Sequence, residues 1–436
     1  MDILHPCCAG LDVHKEKVVA CMRRSEGPKV HQEVRTFRTE TNALLELADW
    51  LTDCGVTHLA MESTGVYWKP IWNLFEGVFE MLLVNAEHIK QVPGRKTDVK
   101  DSQWIAELLQ HGLLRASFVP EQPIRHLRDL TRQRVQLIRQ KVQVANRIQK
   151  TLEDANIKLA SVASDVLGVS GRAMLRALVA GESDPFVLAD MARQRLREKI
   201  PQLREALCGE IQDHHRFLLG MLLEQVEFLE GQIGKLTVRI GEVLPAPFEE
   251  AVERLVTIPG IDRKAAENIL AEVGVDLEPF ASAGHLASWV GVCPGNHESA
   301  GKRKSGRTTK GNAWLRVVLV QCAWAASRSK ESYLRSLYSR LAGRRGKKRA
   351  LVAVAHRLLA ILFNVLKKGE VYRELGLDYL SKQEDKERQA ARLVKRLERL
   401  GFEVSMSPVE KDADEAPLTE ADVNEVLEVE LAACDV

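Results

Sequence analysis

The sequence lacks three features that mark common special classes of protein. No CxxC pair occurs among its eight cysteines, which are scattered from position 7 to position 434. The longest apolar stretches, 317–327 and 351–366, fall short of the roughly 18 residues that a membrane span needs. The N-terminus has no basic segment followed by an apolar core, as a secretory signal would. We therefore expect a cytoplasmic protein with reduced cysteines and no membrane association.

The charge is unevenly distributed along 436 residues, a length that suits two or three domains. The formal net charge is only +2, but residues 401–436 hold 11 acidic residues and one lysine. Residues 301–349 hold 15 Lys or Arg against the single acid Glu331. This density predicts a polyanionic partner, most simply nucleic acid, although a solvated basic face is the plainer alternative.

The first part of the chain has the pattern of an α/β domain, which we place at 1–118. Short apolar segments at 5–13, 17–23, 56–61 and 79–84 and the alternating segment 30–38 predict five strands, and helical patterns predict helices at 41–53, 66–77 and 98–111. Three strands followed by alternating helices and strands indicate a mixed sheet. His5, Cys7, Cys8 and His14 have zinc-ligand chemistry, but the apolar run around the cysteines favours a buried strand.

A helical arm is predicted at 119–250. One possible seam runs along the first helix, and a clearer one alternates by four and three along the second. An antiparallel arm within one chain and a seam shared between two chains are both compatible with this pattern. The first seam comprises Val135, Ile138, Val142, Ala145, Gln149 and Leu152, and the second Leu222, Val226, Leu229, Ile233, Leu236, Ile240 and Val243.

A mainly α C-terminal domain is predicted at 251–370. Residues 253–273 resemble a helix-hairpin-helix element, whose turn can present N–H groups to a DNA phosphate, although a turn between two core helices fits equally. A Gly- and Lys-rich loop then leads to a helix from about 313. Residues 371–436 read as a charged helix and an acidic tail that we expect to be poorly ordered. The expected nucleic-acid-binding residues are Lys302, Arg303, Lys304, Arg307, Lys310, Arg344, Arg345, Lys347, Lys348 and Arg349.

Four carboxylates lie at the ends of predicted elements. Asp12 and Glu62 come at the ends of strands, and Asp98 and Asp101 lie one turn apart where a helix starts. Their convergence at one sheet edge would be self-repelling unless cations bind there, and Mg²⁺ prefers such oxygen ligands. Ordinary surface or capping roles are the alternative for each acid alone.

Three segments carry a specific family resemblance: GLDVHK (10–15), AMESTGVYW (60–68) and KTDVKDSQWIAELL (96–109). They resemble the motifs of a DEDD catalytic domain with an RNase H-like, RuvC-like fold, found in bacterial insertion-sequence transposases that also have a C-terminal serine domain. The resemblance continues at TIPGI (257–261) and HESAGKRKSGRTTKGNAWLR (297–316). It implies that Asp12, Glu62, Asp98 and Asp101 bind Mg²⁺, that DNA at element ends and targets is the substrate, and that a structured bridge RNA guides the enzyme.

The resemblance also implies a serine nucleophile in the C-terminal loop. The family loop reads Ser-Ser-Gly-Gly-Lys, and here residues 298–302 read Glu-Ser-Ala-Gly-Lys, so Ser299 matches the second serine. A serine hydroxyl needs activation by a base or a metal to attack a phosphate. The alternative hydroxyls are Ser305, Thr308 and Thr309.

Three functions remain open from the sequence. The first is a Mg²⁺-dependent, RNA-guided DNA recombinase that acts as a homo-oligomer. The second is a junction resolvase that uses water, with Ser299 incidental. The third is a nucleic-acid-binding protein without catalysis, against which the intact carboxylate set argues. Tyr67, Trp68 and Trp314 could stack on bases, although aromatic residues that begin amphipathic helices are usually core residues.

Overall fold

A computed structural model describes residues 2–27, 29–63, 65–85, 89, 101–295, 306–379 and 393–401, and the backbone alone of 297–299 and 302–305. Asp98 and the acidic tail lie outside the described residues, so the predictions made for them remain predictions. The described chain comprises an α/β part, a helical arm and a helical C-terminal part.

All five predicted strands are present and form one mixed sheet in the order β3-β2-β1-β4-β5. The strand β1 pairs antiparallel with β2, and β2 with β3, while β1 and β4, and β4 and β5, pair in parallel. The parallel pairs need crossover helices, which are α1 and α2. This topology fits the expected RNase H-like domain. The bounds are β1 Cys7–Val13, β2 Lys17–Glu26, β3 Lys29–Arg38, α1 Thr41–Asp53, β4 His58–Glu62, α2 Trp68–Phe75, β5 Glu80–Val84 and α3 Asp101–Gln110.

The two faces of the sheet pack against different helices because successive side chains of a strand alternate between faces. Leu11 and Met61 belong to the core that α1 and α2 complete. Cys8 and Ala60 belong to the core on the opposite face, under α3. The site described below depends on this second face.

The predicted arm is an antiparallel pair of long helices within one chain. Helices α4 and α9 pack along much of their length, and all seven predicted seam residues of α9 are buried or half-buried. The seam predicted on α4 is wrong at Val142, which is exposed; Leu152 is buried and the other four predicted residues are half-buried. Val144 and Ile148, which the predicted seam leaves out, are buried in the arm core. The arm comprises α4 Gln122–Asp154, α5 Leu159–Val162, α6 Val169–Val179, α7 Pro185–Asp190, a 3₁₀ helix Gln194–Lys199, α8 Ile200–Ala206 and α9 Asp213–Val243.

The C-terminal part has one large core, to which Leu127 of α4 and Ile240 of α9 also contribute. Where a loop was predicted, a short antiparallel hairpin occurs instead, and the helix predicted from about 313 is present. The elements are α10 Ala246–Val256, α11 Arg263–Val273, α12 Ala283–Val290, β6 His297–Ser299, β7 Lys302–Ser305, α13 Ala313–Ala326, α14 Tyr333–Arg345 and α15 Lys347–Lys368.

The predicted helix-hairpin-helix element is present as α10, a turn and α11, and one side of its turn packs closely against α13. Gly260 has φ +89°, and a Cβ atom built there would lie 2.5 Å from the Cys322 carbonyl oxygen of α13 and 2.6 Å from the Ala326 nitrogen. Ile258 and Ile261 on either side are buried. The glycine therefore serves close packing against α13, as a turn between core helices does.

In the described part of the chain, α15 is the one helix long and apolar enough to cross a membrane, and half of its most apolar window is buried. It packs against α10, α12, α13 and α14. Its apolar face belongs to the C-terminal core, which includes Leu358, Leu359 and Leu362. These contacts are those of a core helix.

Candidate catalytic and nucleic-acid-binding site

Asp12 and Glu62 lie side by side at the ends of two parallel strands. Leu11 of β1 pairs with Met61 of β4, and the two acids are the next residues along each strand. By alternation, Asp12 shares a face with Cys8 and Gly10, whereas Glu62 shares one with Ala60. Both are half-buried. The parallel register therefore brings two acids from distant segments to the same edge and the same face.

Helix α3 brings the third acid to this edge because it runs antiparallel to β1. Its end is fixed near the chain start, where the Leu4 N–H donates to the Gln110 carbonyl oxygen (2.9 Å). Its first turn lies over Gly10, where a Cβ atom would be 2.4 Å from the Ser102 carbonyl oxygen and from the Ala106 nitrogen. Only glycine permits this approach, which puts Asp101, the first residue of α3, at the end of the sheet that carries Asp12.

The described acids form an open set. Asp12 is paired with His14, whose Nε2 lies 3.1 Å from Asp12 Oδ2. Among the described residues, the carboxylate oxygens of Asp12, Glu62 and Asp101 do not all lie within 4.8 Å of one another. Carboxylates suit a hard divalent cation, which also keeps room for water and phosphate oxygens. The donor set thus fits Mg²⁺, with Asp98 outside the described residues.

Ser299 is the last residue of β6, the first strand of a hydrogen-bonded antiparallel hairpin. It pairs with Lys302, the first residue of β7. Below this pair, Pro294 bridges Thr308, and the Gly295 N–H donates to the Arg307 carbonyl oxygen (2.9 Å). The hairpin therefore has an ordered base and carries Ser299 next to the residues that connect its strands.

The base of the hairpin is held by tight backbone packing and by a helix cap. A Cβ atom on Gly311 would lie 2.3 Å from the Gly291 nitrogen, so two backbone segments touch there. Asn312 donates its N–H to the Trp289 carbonyl oxygen (3.1 Å), and its side-chain oxygen caps α13 by accepting from Trp314 and Leu315. The hairpin thus leaves a rigid platform made by α12 and α13.

A buried polar network joins this platform to α4. Glu272 of α11 is almost fully buried, and its two oxygens accept from Arg132 at 2.6 and 2.8 Å. The Asn312 amide donates to the same carboxylate (2.8 Å). Arg128 donates to the Glu272 carbonyl oxygen, and burial lowers its pKa to about 10. Arg134 and Glu267 form a second buried pair at 2.7 Å.

The other side of α4 contacts the α/β part. Arg125 binds Glu76, at the end of α2, through two hydrogen bonds of 2.8 and 2.7 Å. Donation from Arg125 holds the pKa of the Glu76 carboxyl below its usual value. Phe118 packs edge-on against Phe280 and Trp289 of the C-terminal part. The first turns of α4 therefore connect the acid-bearing sheet to the hairpin platform.

The predicted basic residues form two exposed groups. Arg307 and Lys310 lie on the exposed return from the hairpin, and the side chains of Lys302, Arg303 and Lys304 lie outside the described atoms. The second group surrounds Gly346, which ends α14 and precedes α15 with φ +84°. Lys347, Lys348 and Arg349 form the first turn of α15, where positive charges oppose the helix dipole. These three residues therefore do not stabilise the helix. The second group is Arg344, Arg345, Lys347, Lys348 and Arg349, all exposed.

Among the described residues, one group of three metal-ligand side chains lies within 4.8 Å: Asp154, His214 and His215. His215 Nδ1 accepts from the Gln212 N–H (3.2 Å), so its protonated Nε2 donates to Asp154 (3.0 Å). One ring nitrogen thus caps the start of α9, and the other ties α9 to the end of α4, so both are already hydrogen-bonded. The group lies 29 residues along α4 from Arg125, about 44 Å at 1.5 Å per residue.

The predicted aromatic and cysteine roles also have structural outcomes. Tyr67 is exposed, whereas Trp68 packs against the sheet core and edge-on against Trp72. Cys8 is fully buried, and burial raises the pKa of its thiol to about 12, as expected for a strand residue and not for a zinc ligand.

Sequence reasoning missed three of the residues that organise this region. The sequence predicts no role for His14 beside the acids, although its place two residues after Asp12 is a local signal of their contact. Glu272 and Arg132 are 140 positions apart, and no local pattern indicates their pairing.

Comparisons with known proteins agree with this architecture. A family model described as "Transposase", for DEDD transposases of the IS110 type, matches residues 9–157, and a model described as "Transposase IS116/IS110/IS902 family" matches residues 252–339. The chain is 24% identical to the transposase for insertion sequence element IS1111A of Coxiella burnetii over 67% of this chain and 72% of that protein. It is also 24% identical to the "Probable family 20 transposase" of Pseudomonas aeruginosa, over 84% of this chain and 98% of that protein.

A more local match is to the pilin gene-inverting protein of Moraxella bovis, 30% identical over 27% of this chain and 37% of that protein. The two family models cover both the acid-bearing sheet and the hairpin platform. The chain belongs to the IS110 family of insertion-sequence transposases.

Proposed function

We propose that this transposase cuts and rejoins DNA strands by phosphoryl transfer at a site formed by the acid set and the Ser299 hairpin. The single observation that carries the proposal is the parallel pairing of β1 and β4, which sets Asp12 beside Glu62 on the face where α3 begins with Asp101. The names of the relatives, transposases and a gene-inverting protein, support DNA as the substrate.

Asp12, Glu62 and Asp101, together with Asp98, would hold divalent metal, which we take to be Mg²⁺. Bound there, the metal would stabilise the charge that develops on a phosphate during strand cleavage. His14 orients the Asp12 carboxylate through their 3.1 Å contact. Gly10 keeps the start of α3 close enough for Asp101 to join the set.

Ser299 is the proposed nucleophile. Its hydroxyl oxygen bonds to the phosphorus and loses its proton, while the bond to one deoxyribose oxygen breaks and that oxygen gains a proton. The product is a phosphoserine ester, so the bond energy is retained for rejoining. Lys302, Arg303 and Lys304 follow the serine closely in sequence and would neutralise the phosphate.

Guidance by a structured RNA is proposed from the family resemblance, and the two exposed basic groups could bind either nucleic acid. Cleavage of element-end DNA with and without the flanking non-coding RNA tests this. We expect cleavage only when the RNA is present. Equal cleavage without RNA would contradict guidance and leave the nuclease chemistry in place.

A homo-oligomer is proposed because strand exchange needs two duplexes held together. The outer face of α9 exposes Phe217, Met221 and Phe228, all more than half exposed, within one narrow stripe. Light scattering on the complex with guide RNA and DNA should give the mass of at least two chains. A strictly monomeric complex would refute this proposal.

The covalent intermediate distinguishes the recombinase from a resolvase that uses water. We expect denatured reaction mixtures to contain DNA attached to protein, and Ser299→Ala to lose both adduct and cleavage. Ser161→Ala, an exposed serine on the arm, should behave as wild type. Undiminished cutting by Ser299→Ala with free ends and no adduct would favour the resolvase. An adduct that persists in Ser299→Ala and disappears with Ser305, Thr308 or Thr309 replaced would move the nucleophile there.

A further inference from the structure

A groove of about 350 Å³ lies where α4, the Gly260 turn, α11 and α13 meet. This volume is at the lower end of the roughly 300–1,000 Å³ of ligand pockets. The floor is apolar, with Val135 and Ile138 from α4 and Val317 and Cys322 from α13. Val317 is 38% exposed, so this apolar surface is open to solvent. The groove has no role in the chemistry proposed above.

One wall of the groove is an indole with two arginines close to its ring. Trp314, in the first turn of α13, is half-buried, and its ring lies 5.0 Å from the Arg139 guanidinium and 5.4 Å from that of Arg132. Arg132 is fixed by Glu272, which orders this side of the ring. A preoriented aromatic ring over an apolar floor suits a planar, apolar-faced ligand.

The rim of the groove is cationic. Arg139 and Lys264 are exposed at its edge. The two acids of the lining are already engaged: Asp262 accepts from the Ala265 N–H (2.7 Å) as the cap of α11, and Glu272 binds Arg132 and Asn312. The three cations of the lining, Arg132, Arg139 and Lys264, outnumber these two acids, and this excess favours a ligand that carries a negative group beside its planar part.

Two amide side chains can hydrogen-bond to the edge of such a ligand. Asn268 lines the groove and accepts from Arg134 through Oδ1 (3.1 Å), which orients its amide and leaves the nitrogen to donate. Gln321 is exposed at the opposite side of the lining. Amides pair with several base edges, so the arrangement favours a nucleobase without selecting one.

We propose that this groove binds one unstacked nucleobase of a bound nucleic-acid strand. The base stacks on Trp314 by displacing the exposed Arg139 guanidinium from over the ring, and its phosphate lies against Arg139 and Lys264. Trp314 is two residues beyond Asn312, which lies at the base of the hairpin. The captured base therefore belongs to a strand that passes near the hairpin. The inference rests on nucleic-acid binding in the proposed function, and on neither the metal nor the serine chemistry.

Fluorescence of 2-aminopurine tests the inference, because stacking on an aromatic ring quenches it. The probe replaces single bases in turn in element-end DNA and, in a separate series, in the flanking RNA. Wild type should quench one position strongly, and the series in which this occurs identifies the strand as DNA or RNA. Trp314→Leu should abolish that quenching and weaken binding of the same strand about tenfold.

Two further variants separate a pocket from a general loss of folding. Ala325→Phe should fill the groove and abolish quenching while Trp314 is intact, since Ala325 lines it. Trp324→Leu is the matched control: this tryptophan is on the same helix, 42% exposed and stacked on Arg328, but outside the groove. Circular dichroism melting curves should be alike for Trp314→Leu and Trp324→Leu.

The outcomes are distinguishable. Quenching that survives Trp314→Leu and Ala325→Phe, or that is lost equally in Trp324→Leu, would contradict the binding of a base in the groove. A change in oligomeric mass in Ala325→Phe without any change in quenching would also overturn it and assign the groove to a protein segment. If wild type binds neither strand, the proposed function itself fails. If wild type binds and cuts while no position is quenched, only the groove inference fails.

Discussion

The Asn312 side-chain amide donates a 2.8 Å hydrogen bond to the buried carboxylate of Glu272, which ties the residue at the base of the Ser299 hairpin to helix α11. The same carboxylate binds Arg132 of α4 through both oxygens. One almost fully buried side chain thus links α11, α4 and the residue at the base of the hairpin, and its charge helps to position that hairpin.

Glu272→Ala should lower the free energy of unfolding by about 3 kcal/mol, because it leaves the half-buried Arg128 and Arg132 without their counter-ion and the Asn312 amide without its acceptor. Urea unfolding measures this. Glu253→Ala, an exposed acid on α10, is the control and should stay within about 0.5 kcal/mol of wild type. Equal stabilities of the two variants would show that the network does not hold the platform.

Gly10→Ala should destabilise the α/β part by about 3 kcal/mol or more, because its Cβ would meet backbone atoms of α3 at 2.4 Å. Gly231→Ala is the matched control, and it should raise the free energy of unfolding instead of lowering it. Its Cβ meets nothing within 4 Å on helix α9, so helix propensity should add about 0.5–1 kcal/mol. Thermal unfolding of both proteins tests the pair, and an unchanged Gly10→Ala protein would contradict the close packing.

Asp12→Asn and Asp101→Asn should each reduce strand cleavage at least about 100-fold, the scale on which losing electrostatic stabilisation acts, while nucleic-acid binding is kept. Asp49→Asn, an exposed acid on α1, controls for the loss of charge. Gel-based cleavage and filter binding are measured on the same preparations. Normal cleavage by the Asp12→Asn protein in Mg²⁺ would remove the acid set from the mechanism.

Local patterns predicted most of this fold, because each strand and helix has its own periodicity. The helix at 41–53 has the predicted bounds, and all five strands lie within a few residues of the predicted segments. Val142 shows the limit: a heptad read along α4 alone cannot tell which side α9 covers. The pairing of Glu272 with Arg132 and the hairpin at Ser299 depend on partners far away or on turn geometry, which local periodicity does not contain.

The contact between Glu76 and Arg125 should weaken in acid. Because the Arg125 guanidinium lowers the folded-state pKa of Glu76 below 4.5, its stabilisation is present above pH 4.5 and is lost as the pH falls through the lowered value. Glu76→Gln should remove this dependence. Urea midpoints from about pH 3 to pH 7 should converge for the two proteins at the acid end. A gap that is constant with pH would contradict the assignment.

Replacing Lys347, Lys348 and Arg349 together by alanine should reduce the slope of log affinity against log salt by up to about 3, or 0.9 per lost phosphate contact. The same variant should be slightly more stable, since the cations oppose the dipole of α15. The control replaces Arg193, Arg195 and Arg197, three exposed arginines of the arm. An unchanged slope would show that the basic surface between α14 and α15 does not contact nucleic-acid phosphates.

Helix α4 makes the arm a lever. One uninterrupted helix of 33 residues carries Arg125 and Arg132 at the junction and Asp154 at the far end of the arm. The arm cannot pivot at a hinge, because the same helix belongs to both the arm core and the C-terminal core. A lateral shift of about 4 Å at the tip therefore corresponds to a tilt of about 5° at the junction over about 44 Å. Because Glu272 binds both Arg132 of α4 and Asn312, that tilt is transmitted to the base of the hairpin. A force that binding partners exert on the arm would therefore shift the position of Ser299.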